Sequence, residues 1–246
     1  MNAPLISIIT VVFNSEQFIK TTLDSIAEQQ EKNFEYIVID GGSTDKTLDI
    51  IKQYNIVDVL VSERDNGLYD AMNKGLNLAH GQFVWFINSG DKLFDKNTTY
   101  DIGQVYLKNP DCDVIYGQTQ LIDEKGTVLG MRKKTAPNPL TANSLKMGLM
   151  VCHQSILVKK SIASQYDLNY KVSADYLWVL EALEKVQNIV YADRILSSYL
   201  ENGFSANNKT LSNKERLKIM MQHFGFLPTM WAHVKILCRY IKEYKK

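Results

Sequence analysis

Three cysteines (Cys112, Cys152 and Cys238) are an odd number, and none is spaced C-x-x-C with another. That excludes a disulfide scaffold and leaves a structural zinc site without ligands. Proline is scarce, at 5 residues against 13 glycines, and 45% of the chain is hydrophobic, so neither a collagen-like repeat nor wholesale disorder is in prospect. No apolar run approaches the ~18 residues of a membrane span. The start, Met1-Asn2-Ala3-Pro4, lacks the basic stretch of a signal peptide, and the expected location is the cytoplasm. There is no G-x-G-x-x-G and no G-x-x-x-x-G-K-[ST], hence no dinucleotide fingerprint and no phosphate-cradling P-loop. An excess of one charge is missing too, with 28 Lys and Arg against 27 Asp and Glu. The charge is segregated, however: Ser212 to Lys246 carries +6 and the rest −5. A slightly acidic body argues against nucleic-acid binding, while the basic tail suits an anionic surface such as a membrane.

What the chain does have is alternation of strand and helix patterns. Leu5 to Phe13 is a β-rich apolar run, too apolar for a half-exposed strand, as expected of a buried parallel sheet. It ends at Asn14-Ser15, residues that suit a helix N-cap, before a helical stripe at Phe18, Ile19, Leu23, Ile26 and Ala27. Further strands are expected at 34–39, 57–62 and 83–87, the intervening helices carrying Leu48, Ile51 and Tyr54, and then running to about Ala79-His80-Gly81. In the second half, 114–122 and 127–131 read as a hairpin, followed by a strand near 154–158 and a helix from Ser173 to about Glu184. Tyr199 to Lys209 reads as a polar loop, and helices follow near 212–223 and 228–244. The fold class is α/β, a doubly wound, mostly parallel sheet with a C-terminal helical extension, and ligands sit beyond the strands' carboxyl ends.

The polar clusters fall at those ends. Asp40 closes the second strand ahead of Gly41-Gly42-Ser43-Thr44-Asp45, where a carboxylate can accept a bond from a base or ribose; helix capping needs only Ser43 and Asp45. Asn88-Ser89-Gly90-Asp91 follows an all-apolar strand, a setting that suits a divalent ion carrying a diphosphate or, equally, an ordinary turn. His153-Gln154 begins a strand and lines a binding site, approaches the metal or is structural, whereas Tyr176, Leu177 and Trp178 are core candidates. Cys152 has no base paired to it by spacing, so it is not expected to be a nucleophile.

Val12-Phe13-Asn14, the Asp40-to-Asp45 turn, Asn66-Gly67 followed by Ala71-Met72-Asn73-Lys74-Gly75, and the strand ending at Asn88 to Asp91 resemble the inverting family 2 glycosyltransferases of the GT-A fold. The likeness is strong over 5–92 and looser through Cys152-His153-Gln154-Ser155 and Ser173 to Trp178. Within the family it is nearest to bacterial enzymes that build capsule, O-antigen and exopolysaccharide units. The resemblance implies a GT-A domain over 1–210, with a nucleotide half at 1–92 and an acceptor half at 93–210, and an extension at 211–246. It implies a UDP-sugar donor bound by Val12, Asn14, Asp40, Gly67 and Asn73, with Asp40 facing the uracil. It implies Mg²⁺ or Mn²⁺ on Asp91 and Asn88, although Asn88 and Gly90 stand where the family's D-x-D has its carboxylates and Met72 replaces an arginine. Asp65 and Asp70 are available to compensate, and Asp70, His153 and Gln154 are candidates for the acceptor or the donor sugar.

Inverting transfer is one displacement at the anomeric carbon, so the acceptor hydroxyl needs a base. Asp175, in the first turn after Ser173, is the candidate; the positive helix terminus there favours a carboxylate. The family's Glu-Asp pair is Ala174-Asp175 here. The expected acceptor is a growing surface glycan, lipid-linked through a polyprenyl chain. Met230, Val234, Leu237, Ile241 and Tyr244, with Lys235, Arg239 and Lys242 among them, form an amphipathic stripe that lies on the inner leaflet, packs on the domain or forms a dimer seam. Two other classes share the sheet. A sugar-nucleotide pyrophosphorylase needs a glycine-rich basic loop where Asn14-Ser15-Glu16 stands, and a non-catalytic nucleotide-sugar binding module would tolerate the thinned metal motif.

Overall fold

The computed structural model describes residues 3–201 and 208–244. Four strands, β1 (Ile6–Val12), β2 (Phe34–Asp40), β3 (Val59–Ser62) and β4 (Phe83–Phe86), pair in parallel and are joined by α1 (Ile19–Ala27), α2 (Thr47–Ile51) and α3 (Leu68–Leu78). The second half contributes β5 (Lys92–Leu93), α4 (Thr98–Lys108), β6 (Val114–Ile122), β7 (Val128–Met131), β8 (Ile156–Lys159), α5 (Ala174–Lys185), β9 (Ile189–Leu200), α6 (Lys209–Phe224) and α7 (Phe226–Tyr244). All strands join one sheet in the order β3-β2-β1-β4-β8-β6-β9-β5, with β7 on β6. The direction reverses at β8, antiparallel to both neighbours, and becomes parallel again between β6 and β9.

Side chains alternate across each strand, and β1, β2 and β4 are covered on both faces, which is why they are mostly apolar. Ile9, Val11, Ile37, Ile39, Val84 and Phe86 face the core under α3, α5 and α6, whereas Ile6, Ile8, Tyr36, Val38, Phe83 and Trp85 face the core under α1, α2 and α4. Trp85, wholly buried, donates its indole N–H to the Gln154 carbonyl at 2.9 Å, which ties β4 to the turn carrying His153 and Gln154.

Several expectations need correcting. Asn14 does not cap α1: it sits at φ 45, and the helix starts at Ile19 after Phe18, which makes no side-chain cap bond. Residues His153 to Ser155 form a 3₁₀ turn before β8 rather than the start of the strand. Tyr199 and Leu200 end a twelve-residue strand, β9, instead of opening a loop. That strand is masked in sequence by Asp193 at φ 50, by register shifts against β6, and by Ser197 and Ser198, which are buried. Ser197 is satisfied by Ser155 and Ser198 by Gln120, so side-chain hydrogen bonds stand in for apolar patterning. Ser173 precedes α5 as expected, but its hydroxyl bonds to Ser212 of α6 rather than capping the helix.

The two C-terminal helices pack into the body: Ile219, Met220 and Ala232 belong to the α3/α5 core. On α7, Thr229 and Ala232 are buried, while Phe226, Leu227, Trp231, Val234 and Leu237 are exposed. Met230, expected on the free stripe, is half-buried. The side chains of Arg239, Ile241, Lys242 and Tyr244, together with Lys245, Lys246 and residues 202–207 of the expected loop, lie outside the described residues. Among the described residues no helix is long and apolar enough to cross a membrane.

Gly75 lets α3 approach the sheet, since a Cβ there would lie 2.5 Å from Ile9 Cγ2. Gly103, inside α4, faces open space. Urea denaturation should therefore show opposite signs for two like substitutions: Gly75→Ala loses on the order of 1–3 kcal/mol by overpacking, and Gly103→Ala gains up to about 1 kcal/mol from helix propensity.

Candidate active site

The loops after β1 and β2 are latched to each other. Asn14 donates its backbone N–H to Ser43 Oγ at 2.8 Å and accepts from the Thr44 N–H through Oδ1 at 2.9 Å. The Ser15 N–H reaches Thr47 Oγ1 at 2.8 Å, the Glu16 N–H reaches Asp45 at 3.1 Å, and the Lys46 N–H returns to Glu16 at 2.9 Å. Asp40 anchors this assembly from beneath. Its carboxylate is wholly buried and accepts from the Gly42 and Ser43 amides at 3.1 and 3.0 Å and from Ser62 Oγ at 2.7 Å. Asp40 thus holds the loop in which the sequence places the nucleotide base. The carboxylate standing at the surface of this loop is Asp65, which occupies the space a Cβ on Gly41 would fill, beside Phe13. Phe13 is 60% exposed.

Two more expected nucleotide residues are committed elsewhere. Asn73 uses both ends of its amide on the backbone of Tyr166, donating to the carbonyl at 2.9 Å and accepting from the N–H at 2.7 Å. Gly67 takes φ 114 to turn into α3, its N–H bonded to Asp65. Asp70 caps that turn by accepting from the Asn66 N–H at 2.9 Å, and it neighbours Lys74. None of Asp40, Gly67, Asp70 and Asn73 lines the cavity described next.

That cavity, about 640 Å³, opens beyond the carboxyl ends of β1 and β4. It is lined by Val11 to Ser15 and Asn88-Ser89, by Asp91, Cys152, His153 and Gln154, and by Asp175, Arg132, Lys134 and Arg216. It brings together Val12, Asn14, Asn88, Asp91, His153, Gln154 and Asp175. Sequence reasoning missed Tyr69, Arg132, Lys134, Tyr199 and Arg216, which also line it. Only Tyr69 carried a local signal, next to Asp70 at the start of α3.

Asp175 is half-buried, and its Oδ1 accepts from the Tyr176 N–H at 2.8 Å and from the Tyr69 hydroxyl at 3.3 Å. Burial pushes its carboxyl above the ordinary carboxylate range, outweighing the Tyr176 amide, Arg216, Tyr69 and Arg132, which favour the charged form. The helix terminus therefore does not decide this group; desolvation does. Behind it stands an aromatic cluster, with Tyr69 stacked on Tyr166 and Tyr166 stacked on Trp178 at centroid distances of 5.5 and 5.3 Å. His153 belongs to this cluster: its Nε2 pairs with the Tyr166 hydroxyl at 2.7 Å, and burial lowers its pKa to about 4, so the ring is neutral.

Asp91 and Asn88, the residues expected at a metal, differ in what their oxygens meet. Asp91 is 3% exposed, and its oxygens accept from Gln154 Nε2 at 2.8 Å and the Leu200 N–H at 2.9 Å. Burial pushes its pKa up to about 7. Ser89 Oγ is paired with Ser15 Oγ, which leaves Asn88 Oδ1 as a buried acceptor without a partner. Among the described residues no group of three or more His, Cys, Asp or Glu side chains is placed to hold a metal ion. Of the two residues, Asn88 thus offers an open oxygen, while both Asp91 oxygens are hydrogen-bonded within the protein.

The sequence profile of Glycosyl transferase family 2 matches residues 7–166. The chain belongs to that family. This family 2 enzyme is 30% identical over 226 residues to a PGL/p-HBAD biosynthesis glycosyltransferase of Mycobacterium bovis, covering 89% of this chain and 84% of that protein. It is 25% identical over 248 residues to TuaG of Bacillus subtilis, a glycosyltransferase assigned to teichuronic acid biosynthesis, covering 98% and 97%. S. aureus TarS 1-349 in complex with UDP-GlcNAc shares the fold at TM-score 0.73 and 22% identity, over 88% of this chain and 64% of that one. A mannosyltransferase from Pyrobaculum calidifontis, in complex with GDP-Man and Mn²⁺, aligns at TM-score 0.67 and 13% identity over 96% and 70%. The glycosyltransferase is thus an α/β protein of the GT-A type.

Two buried groups give the fold opposed pH responses. Asp91 binds a proton more tightly folded than unfolded, so its contribution is complete at acidic pH and is lost as pH rises towards about 7. His153 does the reverse: folding excludes its proton, so stability is gained as pH rises from about 4 through the unfolded histidine value. Asp91→Asn should remove only the first limb. Urea midpoints at pH 5 and pH 8 should show the variant gaining on the wild type by on the order of 3 kcal/mol between them.

Proposed function

We propose that this glycosyltransferase moves a sugar, with inversion, from a UDP-sugar to a hydroxyl of a growing bacterial surface glycan, with Asp175 as general base. The observation that carries the reading is a single cavity lined by both Val12 to Asn14 and Asp175, whose proton affinity burial raises. Val12, Phe13 and Asn14 receive the nucleoside, and Asp65 beside Phe13 is the carboxylate available to the base. Asp175 takes the acceptor's proton as the hydroxyl attacks, and no covalent nucleophile is needed. Tyr69 holds Asp175 Oδ1, aiming the other oxygen at the acceptor, and the neutral His153 and its aromatic neighbours keep water away. The glycan-building relatives in Mycobacterium and Bacillus support the acceptor class, and TarS with UDP-GlcNAc supports the donor class. Divalent metal use is supported by the family and by the Mn²⁺-containing neighbour. Asn88 Oδ1 is the side-chain oxygen this chain offers such an ion, which would offset diphosphate charge.

The same proposal places the enzyme at the cytoplasmic face of the membrane with a lipid-linked acceptor. Leu227, Trp231 and Val234 fall at spacings of four and three on α7, all exposed, with Lys235 over the Trp231 ring at 5.6 Å. Such a basic apolar face suits an anionic leaflet. Full-length protein should float with anionic liposomes and not with neutral ones, and Leu227→Glu/Trp231→Glu should abolish flotation while leaving the melting temperature unchanged; flotation unaffected by the double change would reject the α7 contact.

Base catalysis makes a separate demand. Asp175→Asn should lower kcat roughly 10²–10⁴-fold, with UDP-sugar affinity within a few-fold of wild type. The wild-type rate should rise with pH along an acid limb set above the ordinary carboxylate range, because Asp175 must be ionised. Tyr69→Phe removes a bond that favours the ionised form, so its limb should move to higher pH while the plateau rate is largely kept.

A further inference from the structure

The helix that carries Asp175 begins without a cap of its own. Ser173, at the N-cap of α5, makes no side-chain cap bond, and its hydroxyl turns to Ser212 on α6 instead. Residues Lys171 to Ser173 belong to no strand or helix, so their amides have no backbone ladder to enter. One side chain of α6 takes all three N–H groups. Glu215 Oε1 accepts from Lys171 at 2.8 Å, and Oε2 accepts from Val172 and Ser173 at 3.0 and 2.9 Å. The same helix grips the residue before them: Tyr170 donates its hydroxyl to Gln222 Oε1 at 2.9 Å, and Lys218 Nζ stands 5.3 Å from the Tyr170 ring centroid.

Glu215 is spent on these amides. Among the described residues no Lys, Arg or His nitrogen lies within 4.0 Å of its carboxylate. Bonds from backbone N–H groups to an ionised carboxylate are stronger than those between neutral partners, so three of them make a stiff clamp. The clamp ends at Ser173, two residues before Asp175. Both hydrogen bonds that the Asp175 carboxylate accepts among the described residues fall on Oδ1, from the Tyr176 N–H at 2.8 Å and the Tyr69 hydroxyl at 3.3 Å. The first donor belongs to α5 and the second to α3, so the carboxylate is oriented only while the start of α5 keeps its place against α3. The Tyr69 bond is the longer one, and a small shift of the first turn is enough to lose it.

We propose that Glu215 is a positioning residue: by holding the amides of Lys171, Val172 and Ser173 it fixes the first turn of α5 and keeps Asp175 in register with Tyr69. Its relevance to transfer rests on the reading of Asp175 as the base. Glu215 does not line the cavity, so its influence runs through the backbone of 171–173. A base displaced by about 1 Å can cost on the order of 10²-fold in rate. The clamp would therefore make catalysis depend on a carboxylate that touches no substrate.

The test is a double-mutant cycle on the full-length protein without ligand, reading the titration of the Asp175 carboxyl by carbon-13 NMR. In the wild type, Tyr69→Phe should raise the Asp175 midpoint by about half a pH unit or more, because the lost bond favours the ionised form. Glutamine has one acceptor oxygen where the three amides use two, so Glu215→Gln should loosen the turn. In that background Tyr69→Phe should shift the midpoint by less than about 0.2 units, a small fraction of the wild-type shift. The direct effect of the Glu215 charge cancels in the cycle, as do those of Arg132 and Arg216, which also act on Asp175. Gln222→Ala, which cuts another bond of α6 but leaves the three amides paired, should keep the full Tyr69 effect. Equal shifts with and without Glu215, no shift in the wild type, or loss of the effect in Gln222→Ala would each overturn the proposal. If Glu215→Gln does not fold, Glu215→Asp takes its place in the cycle, with the Tyr69 effect expected to be diminished and an undiminished one overturning the proposal. Turnover of Asp175→Asn judges the base reading separately, since the cycle reports position whether or not Asp175 is the base.

Discussion

Burial of β1, β2 and β4 on both faces is the constraint from which the rest of the structure follows. A strand covered on both sides has no exposed face for a polar residue, so Ile6 to Val12 and Phe34 to Ile39 must be almost wholly apolar. Polar chemistry is displaced to where the strands end, and at the carboxyl edge the backbone groups of the loops need partners. Asp40, Asn14, Ser43, Thr44 and Asp45 supply them, each bonded to the other loop or its own. The cavity opens there because it is the one edge of the parallel sheet where backbone, side chains and solvent meet.

Carboxylates in this molecule divide by what they face. Asp40 and Asp91 are turned inward and spend their oxygens on the frame, Asp40 on its loop and Asp91 on Gln154 and Leu200. Asp175 is half-open to the cavity, and burial raises its proton affinity against the opposing bond from Tyr69. The neutral His153 is held by Tyr166, which Asn73 holds in turn. Residues far apart in the chain thus form one support for a single carboxylate. Pre-organisation of this kind is what the proposed role of Asp175 as a base calls for.

The C-terminal helices serve the site as well as the surface. Ile219 and Met220 seat α6 on the core, and that docking presents Arg216 and Ser212 to the cavity. Glu215 on the same helix accepts from the amides of Lys171, Val172 and Ser173, so it braces the start of α5 and with it Asp175. The next helix turns an apolar, lysine-bearing face outward. The exposed face of this helix and the cavity lining on the helix before it are in this way mechanically continuous.

The sequence by itself determined the β-α-β alternation, the polar strand ends, the hairpin of β6 and β7, and Asp175 as a carboxylate in the first turn of a helix. Those features are local: strand burial leaves a run of apolar residues, and turns and helix starts leave their own residue types. It also carried the family resemblance, since Val12 to Asn14 and Asp40 to Asp45 are neighbours in sequence within each loop. What it did not show was which atoms those motifs face. Asp40 and Asn73 read as nucleotide ligands, and the structure adds that both also bond the chain's own backbone. The strand β9 was hidden because its buried serines pair with Ser155 and Gln120, partners far away in sequence. Only the tertiary structure brings Glu215 to the amides before Asp175 and puts desolvation above the helix terminus in setting Asp175. Convergence and burial belong to the folded arrangement, because both depend on distances between residues that no spacing along the chain encodes.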